Sequence, residues 1–291
     1  MMLEWFLLSG TAVAAVGGSL SLILFPPLPR DLGGAVDLDA EAEPVRIPVP
    51  GDGHLDAWYL RGHRPAVVVL LHGFGRTHHR AWRYAAFLRR LGVHVLTFDF
   101  RSARGRGRKP TTLGHHERLD AQAVLDWVLR EPRLAGCRIG VHGESLGAAI
   151  ALQLAAARPE VAAVVADGAF ASSARALEDS CERWARMPRQ PSASILRAVG
   201  YACTGHDPGA TEPLRDAPRL ADRPVFFIHG IDDDRIGEAQ VRALWDAAGA
   251  SHPLWIVPGA GHNEAWTNER IEYERRVSEF FAQHLLNQPR R

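Results

Sequence analysis

The chain contains few cysteines and almost no lysine. Its 291 residues include three cysteines and one lysine, Lys109, among 34 basic residues. An odd number of cysteines, without Cys-x-x-Cys spacing, argues against a disulfide framework and against a thiolate zinc site. The formal net charge is +1, which gives no electrostatic reason to expect nucleic acid as a partner. The 46% of hydrophobic residues is typical of a globular protein.

Charged side chains are absent from Trp5 to Phe25, a run of 21 residues. As a helix this run is about 30 Å long, enough to span a bilayer. A cleaved signal peptide is the alternative, but it needs a basic segment first, and the only preceding charge is Glu4. We therefore expect residues 1–27 to form a single-pass anchor, in a bacterial inner membrane. Arg30 is the only nearby base, so the side of the membrane stays open.

The rest of the chain alternates strand and helix patterns. A Pro, Gly and acid-rich linker is expected over residues 28–44, followed by a hairpin of Val45–Pro50 and Leu55–Leu60. Ala66–Leu71 is continuously apolar, as in a strand buried on both faces of a parallel sheet. The alternation predicts one α/β domain over 45–287, with a mostly parallel sheet covered by helices on both faces. The interval 169–221 is too long for one crossover, and we expect a small helical cap there.

Further elements are expected on either side of this interval. Predicted strands cover Val93–Phe98, a short run from Arg138 that precedes Gly143, Val161–Ala166, Pro224–Ile228 and Pro253–Val257. Predicted helices cover about Arg80–Leu91, Leu119–Leu129, the Ala/Leu-rich segment to Arg158, Glu238–Ala248 and Arg270–Leu286.

The sequence Gly143-Glu144-Ser145-Leu146-Gly147 lies between a predicted strand and a predicted helix. A Gly-x-Ser-x-Gly turn in that context is typical of a nucleophile elbow, whose strained turn exposes the serine hydroxyl. Both glycines are needed because neighbouring backbone passes close to them. The pattern predicts Ser145 as a nucleophile.

Two further motifs follow the carboxyl ends of later strands, where ligands bind in open α/β sheets. His262 lies in a Gly-rich loop after the last predicted strand, and three consecutive aspartates follow the strand before it. A histidine suits general acid–base chemistry near neutral pH, and an aspartate orients it. Spacing favours the central aspartate, Asp233, with Asp167 as an alternative acid.

Two backbone amides are expected to form an oxyanion hole. The residue after the nucleophile, Leu146, supplies one N–H, and Phe74 in the loop His72-Gly73-Phe74-Gly75 supplies the other. A backbone N–H does not require a particular side chain. The prediction for Phe74 therefore depends on the position of its loop directly after a buried strand.

With these motifs, residues 45–286 resemble an α/β-hydrolase, in the bacterial serine-hydrolase branch of dienelactone-hydrolase-like and acyl-peptidase-like esterases. The order Ser145, Asp233, His262 matches the family's order of nucleophile, acid and histidine. One departure is Ser102–Arg106, where the family usually continues Gly-x-Gly-x-Ser. The resemblance is carried by His72–Gly75, Asp99–Arg101, Thr111–Gly114, Gly143–Gly147 and His229–Gly230.

The resemblance implies cleavage of an acyl ester, either a carboxylester or a thioester, through an acyl-enzyme. The cap is expected to contact a partly apolar acyl group through Trp184, Ile195, Leu196 and Tyr201. A peptidase or acyltransferase on the same triad is one alternative. A non-catalytic, membrane-anchored binding protein is another. The sequence does not indicate the oligomeric state.

No cofactor and no metal are expected. The pairs His78-His79 and His115-His116 are the only adjacent histidines. Neighbouring side chains on a helix or strand point in different directions, and no acidic residue accompanies either pair at ligand spacing.

Overall fold

A computed structural model describes residues 38–51, 53–103, 109–184 and 186–287. The predicted membrane anchor, residues 1–27, and most of the predicted linker lie outside the described residues. Within the described ranges, no helix is both long and apolar enough to cross a bilayer.

An eight-stranded sheet forms the centre of the domain, in the order β1-β2-β4-β3-β5-β6-β7-β8. β1 and β2 form the predicted hairpin, β2 pairs antiparallel with β4, and all other neighbours are parallel. The predicted mostly parallel sheet is therefore confirmed. The strands are β1 (Glu43–Val49), β2 (Gly53–Leu60), β3 (Ala66–Leu71), β4 (His94–Phe98), β5 (Arg138–Glu144), β6 (Val161–Asp167), β7 (Val225–Gly230) and β8 (Leu254–Val257).

Helices cover both faces of the sheet. Alternate residues of β3 face different cores: Val67 and Val69 belong to one apolar cluster, Val68 and Leu70 to the other. This explains why the whole strand is apolar. The helices are α1 (His78–Arg90), α2 (His115–Arg130), α3 (Leu146–Ala157), α4 (Ser173–Asp179), α5 (Arg189–Thr204), α6 (Pro213–Asp216), α7 (Glu238–Ala247), α8 (Ala265–Asn268) and α9 (Arg270–Phe281).

Single turns of other helical types extend the chain between or beyond these helices. They are the 3₁₀ turns Pro132–Leu134 and Ala217–Leu220 and the π turns Ser180–Trp184 and Ala282–Leu286.

Two helices begin earlier than the apolar pattern predicts, because polar groups cap them. The Asp99 carboxylate accepts the backbone N–H of His78 at 2.7 Å, at the first residue of α1. At α2, Thr112 Oγ1 accepts the N–H of His116 at 2.8 Å, and the Glu117 carboxylate accepts that of Gly114 at 2.9 Å. Such capping satisfies amides that have no partner within the helix.

The end of the predicted linker packs against the domain instead of running free. Leu38 and Ala42 are buried, 4% and 8% exposed, in the same apolar cluster as α1. Between them, Asp39 accepts the indole N–H of Trp82 at 2.8 Å. Burial of two apolar side chains fixes this segment to the domain, which the acidic and Gly-rich composition around it did not indicate.

The interval predicted as a cap contains α4, α5 and α6. Near the end of α4, Asp179 Oδ2 accepts a hydrogen bond from Gln240 Nε2 of α7 at 2.6 Å. After α5, His206 stacks on His115, the first residue of α2, with ring centroids 3.7 Å apart. The insert therefore contacts the N-terminal ends of two helices, α2 and α7, that follow the carboxyl edge of the sheet.

Candidate active site

Ser145 occupies a sharp turn between β5 and α3. Its φ of 54° and ψ of −117° are unusual for a residue with a side chain. Its backbone N–H donates to Asp167 O of the neighbouring strand at 2.8 Å. A Cβ at Gly143 would collide with the backbone of Gly147, and one at Gly147 with the carbonyl of Leu71. The two glycines of the motif thus permit the turn.

Among the three consecutive aspartates, only Asp233 is buried. Its Oδ1 accepts the backbone N–H groups of Arg235 and Ile236 at 2.9 and 2.8 Å. Burial opposes its ionisation, but hydrogen bonds from His262 and Ile236 outweigh burial and lower the pKa of Asp233. His229 lies below this loop and reaches Ile236 O at 3.1 Å. The loop therefore presents a fixed, ionised carboxylate.

The loops after β5, β7 and β8 bring the three predicted catalytic residues together. His262 Nδ1 lies 2.7 Å from Asp233 Oδ2, and His262 Nε2 lies 2.9 Å from Ser145 Oγ. A carboxylate only accepts hydrogen bonds, so Nδ1 carries the proton. In a neutral ring, Nε2 is then the acceptor for the serine hydroxyl. Asp167, the alternative acid, instead accepts a hydrogen bond from the Tyr273 hydroxyl at 2.9 Å.

The predicted oxyanion loop packs directly against the elbow. A Cβ placed on Gly73 would lie 3.3 Å from Ser145 Cβ, and Phe74 and Leu146 line the same small cavity. His72 fixes the loop: Nδ1 donates to Gly73 O at 2.9 Å, and Nε2 accepts the Phe100 N–H at 3.1 Å. Burial lowers the pKa of His72, which favours the neutral ring that this pairing requires. The role of the Phe74 and Leu146 amides stays a prediction.

A buried ion pair that no local sequence pattern indicates lies beside the elbow. Arg83 is fully buried and donates to Glu144 Oε2 at 2.6 Å; Glu144 directly precedes Ser145. Arg83 Nη2 also lies 3.4 Å from Asn263 O, directly after His262. Burial disfavours the Glu144 charge, but Arg83 and Arg80 outweigh it and lower its pKa to about 2. One guanidinium therefore joins the chain segments that carry the serine and the histidine.

A second set of buried polar side chains, Tyr273, Asp167 and His142, lies next to this ion pair. The Tyr273 hydroxyl lies 2.9 Å from Asp167 Oδ2 and 2.8 Å from His142 Nε2. Burial, reinforced by the negative charge of Glu144, raises the pKa of Asp167 to about 7. Burial also lowers the pKa of His142 to about 3. Glu144 and Asp167 lie opposite each other on β5 and β6, so only one of them is easily ionised at neutral pH.

The predicted acyl-contact residues of the insert are mostly exposed. Ile195 is 45% and Tyr201 59% exposed, and Leu196 is half-buried. The cavity beside Leu146 is lined instead by residues of the oxyanion loop and of segments 100–103 and 111. The placement of the Trp184 side chain lies outside what the structure describes. Substrate contact by these four residues therefore stays a prediction.

The fold agrees with comparisons to known proteins. The model of the alpha/beta hydrolase family matches residues 68–275, and the chain belongs to that family. It is 32% identical to the uncharacterized protein Rv2307c of Mycobacterium tuberculosis over 218 residues, 72% of this chain and 68% of the relative. It is 28% identical to the uncharacterized protein YqkD of Bacillus subtilis, over 74% of this chain and 71% of the relative.

A solved structure supports the same fold. The Pyrococcus furiosus esterase Pf2001 aligns with a TM-score of 0.70 and 24% identity, covering 86% of this chain and 96% of the esterase. At this identity the likeness concerns the fold alone. The predicted membership of the α/β-hydrolase superfamily is confirmed, and a hydrolase is the coarse functional class that the family match supports.

Proposed function

We propose that the protein is a serine hydrolase that cleaves an acyl ester through an acyl-enzyme intermediate. The observation that carries the proposal is the continuous chain of hydrogen-bond distances Asp233–His262–Ser145, 2.7 and 2.9 Å long. His262 Nε2 takes the proton of the Ser145 hydroxyl as Oγ attacks the acyl carbonyl. The protonated imidazole then donates that proton to the leaving alcohol or thiol, and Asp233 stabilises its positive charge.

Water completes the cycle. His262 removes a proton from a water molecule, which attacks the acyl carbon, and Ser145 leaves with the proton returned from His262. During both steps the Phe74 and Leu146 amides are proposed to hold the oxyanion. Loss of one such donor typically costs about 3 kcal/mol of transition-state stabilisation. No step requires a cofactor.

An ester is the proposed substrate class, and its acyl group is proposed to contact the insert. Support comes from the exposed apolar side chains of α5, Ile195 and Tyr201, and from the esterase among the structural neighbours. The run Trp5–Phe25 is proposed to tether the domain 45–287 to a membrane through the segment that follows it. Deletion of residues 1–27 should release the protein from membranes after alkaline carbonate washing. Retention of the truncated protein in the membrane fraction would argue against the tether.

The test of function is turnover of p-nitrophenyl esters of increasing acyl length by the detergent-solubilised full chain. We expect ester hydrolysis by the wild type and none above background by Ser145→Ala. The same preparations are also assayed for cleavage of fluorogenic peptides and for acyl transfer to an added alcohol. Faster peptide cleavage or acyl transfer than ester hydrolysis would replace esterase by the peptidase or acyltransferase alternative. Equal ester turnover by Ser145→Ala would remove Ser145 from the mechanism.

A further inference from the structure

Three potential metal ligands converge at the N-terminal end of α1, outside the catalytic triad. His78 Nε2 lies 3.3 Å from Asp39 Oδ1, and His79 Nε2 lies 3.2 Å from Asp39 Oδ2. The two histidines are the first two residues of α1, and their ring centroids are only 4.0 Å apart. Asp39 comes from the segment before β1, 39 residues earlier in the chain, so the sequence pattern did not indicate a third ligand.

The other nitrogen of each histidine already has a partner. His78 Nδ1 lies 3.0 Å from Asp99 Oδ1, and His79 Nδ1 lies 3.1 Å from Thr77 Oγ1. Because a carboxylate accepts only, His78 Nδ1 carries a proton, and a neutral ring then presents the lone pair of Nε2. A histidine whose second nitrogen donates to a carboxylate is the usual arrangement at a protein metal site.

The Nε2 atom of His78 is the least satisfied of these groups. His78 is only 5% exposed, and this nitrogen makes no hydrogen bond to any residue that the structure describes. Its nearest acidic neighbour is Asp39 Oδ1, which is also an electron-pair donor. Two facing lone pairs repel each other unless a cation lies between them. In the neutral ring, a cation at this place satisfies both atoms, whereas a protonated ring would donate Nε2–H to Asp39.

The dimensions and charges also suit a small divalent ion. Ligand atoms bound tetrahedrally to zinc at 2.0–2.1 Å lie about 3.4 Å apart, close to the separations of 3.3 and 3.2 Å. Asp39 and Asp99 flank His78 from two sides, which gives the site the negative charge that a cation compensates.

We propose that Asp39, His78 and His79 bind one divalent transition-metal ion, with zinc as the representative ion and a water molecule as fourth ligand. Two imidazole nitrogens and one carboxylate oxygen form a ligand set that zinc accepts. The site joins the segment before β1 to the start of α1. It is structural, because the triad residues are not among its ligands. Metal binding stabilises the folded chain, since the ligands are apart in the unfolded chain.

A second histidine cluster in the described part of the chain provides a matched control. His115, His116 and His206 also lie close together, but the rings of His115 and His206 stack at an interplanar angle of 16°. Lone pairs of stacked rings lie in parallel planes and do not converge on one ion. We therefore place the metal at the Asp39 site and expect no ion at the His206 cluster.

The experiment measures zinc binding by calorimetry to the full, untagged chain in detergent after chelator treatment. The variants are Asp39→Asn, His79→Ala and, as the control, His115→Ala/His206→Ala. We expect one equivalent of zinc on the wild type and on the control, and at least a tenfold weaker affinity for both site variants. Zinc should raise the Tm of the wild type and the control by about 5 °C, and leave the Tm of both site variants unchanged.

Cobalt absorption supplies a readout that a folding defect does not imitate. The d–d bands of bound Co²⁺ should have the intensity of a four-coordinate site in the wild type and be lost in Asp39→Asn, whose circular dichroism stays native. No stoichiometric zinc on the wild type would overturn the proposal. Zinc retained by Asp39→Asn but lost from the His115→Ala/His206→Ala control would overturn it equally, since the ion would then be at the other cluster.

Discussion

The two sides of the candidate active site are built in opposite ways. Beneath the elbow, Arg83, Glu144, Asp167 and Tyr273 are all at most 1% exposed and bound to one another or to their neighbours. Above the carboxyl edge, the insert exposes 59% of Tyr201. Buried, paired side chains fix the chain segments that carry Ser145 and His262, whereas the exposed side chains of the described part of the insert lack such contacts. In the proposed function, the chemistry therefore depends on the buried side and the specificity depends on the insert.

The largest effect is expected where the buried side meets the reacting atoms. Asp233→Asn should lower kcat for ester hydrolysis about 10⁴-fold, because an amide does not stabilise the imidazolium and favours the wrong tautomer. The matched control is Asp232→Asn, since this neighbouring aspartate is exposed. It should stay within about twofold of the wild type, as expected for a surface site. Steady-state kinetics test both, and similar losses in the two variants would remove Asp233 from the triad.

The second largest effect is expected at the ion pair beside the elbow. Arg83→Met should lower the free energy of unfolding by about 3–5 kcal/mol, because it leaves the buried Glu144 carboxylate without its cation. Arg89→Met is the control: Arg89 and its partner Glu41 are both 48% exposed, so the loss should be under about 1 kcal/mol. Urea denaturation measures both changes.

A double variant separates the charge from the packing of Arg83. Adding Glu144→Gln to Arg83→Met should restore part of the lost stability, since no buried charge then remains unpaired. If the double variant is no more stable than Arg83→Met, the guanidinium contributes through packing rather than through its charge.

A smaller effect concerns pH. The pKa of Asp167 is raised to about 7 in the folded protein, against about 3.9 in an unfolded chain. Between about pH 3.9 and 7, Asp167 therefore binds a proton in the folded protein but not in the unfolded chain. The stability that this proton contributes is lost as pH rises through about 7. Asp167→Asn should remove most of that decline, measured by denaturation at several pH values between about 4 and 8. An unchanged slope would show that another group is responsible.

The smallest effect on stability is expected in the insert. Tyr201→Ala and Ile195→Ala should change the free energy of unfolding by no more than about 0.5 kcal/mol, because both side chains are exposed. If they contact the acyl group, KM for long-chain esters should rise several-fold while kcat for acetate esters stays unchanged. Equal KM values for long chains in variant and wild type would argue against acyl contact by α5.

The same contrast explains what the sequence made predictable. The elbow at Ser145, the acid loop at Asp233 and the loop of His262 are local patterns placed after apolar strands, so the sequence alone predicts them as candidate site residues. Arg83 and Glu144 are 61 residues apart, and Asp167 and Tyr273 are 106 apart. No local pattern reports such pairs. Arg83 lies on the buried face of α1, although an arginine in a helix is usually expected on the surface.

The predicted first residue of α1 and the predicted linker around Asp39 differ from the structure for a related reason. The N–H of His78 is capped by Asp99 from another loop, so the apolar periodicity of α1 begins later than its hydrogen bonding. The segment around Asp39 was assigned to a linker from its composition, but two buried side chains and the Trp82 indole fix it in place. In both places, contacts with residues distant in the sequence determine the structure, and a local sequence pattern does not contain those residues.

Covalent labelling tests whether Ser145 is an activated nucleophile. The full chain and its Ser145→Ala variant are treated with a fluorophosphonate in detergent, followed by intact mass measurement and peptide mapping. We predict one adduct per wild-type chain, located on Ser145, and no adduct on the folded variant. An adduct at another residue would remove Ser145 from the mechanism. No adduct on a natively folded wild type would favour a binding protein with a hydrolase fold.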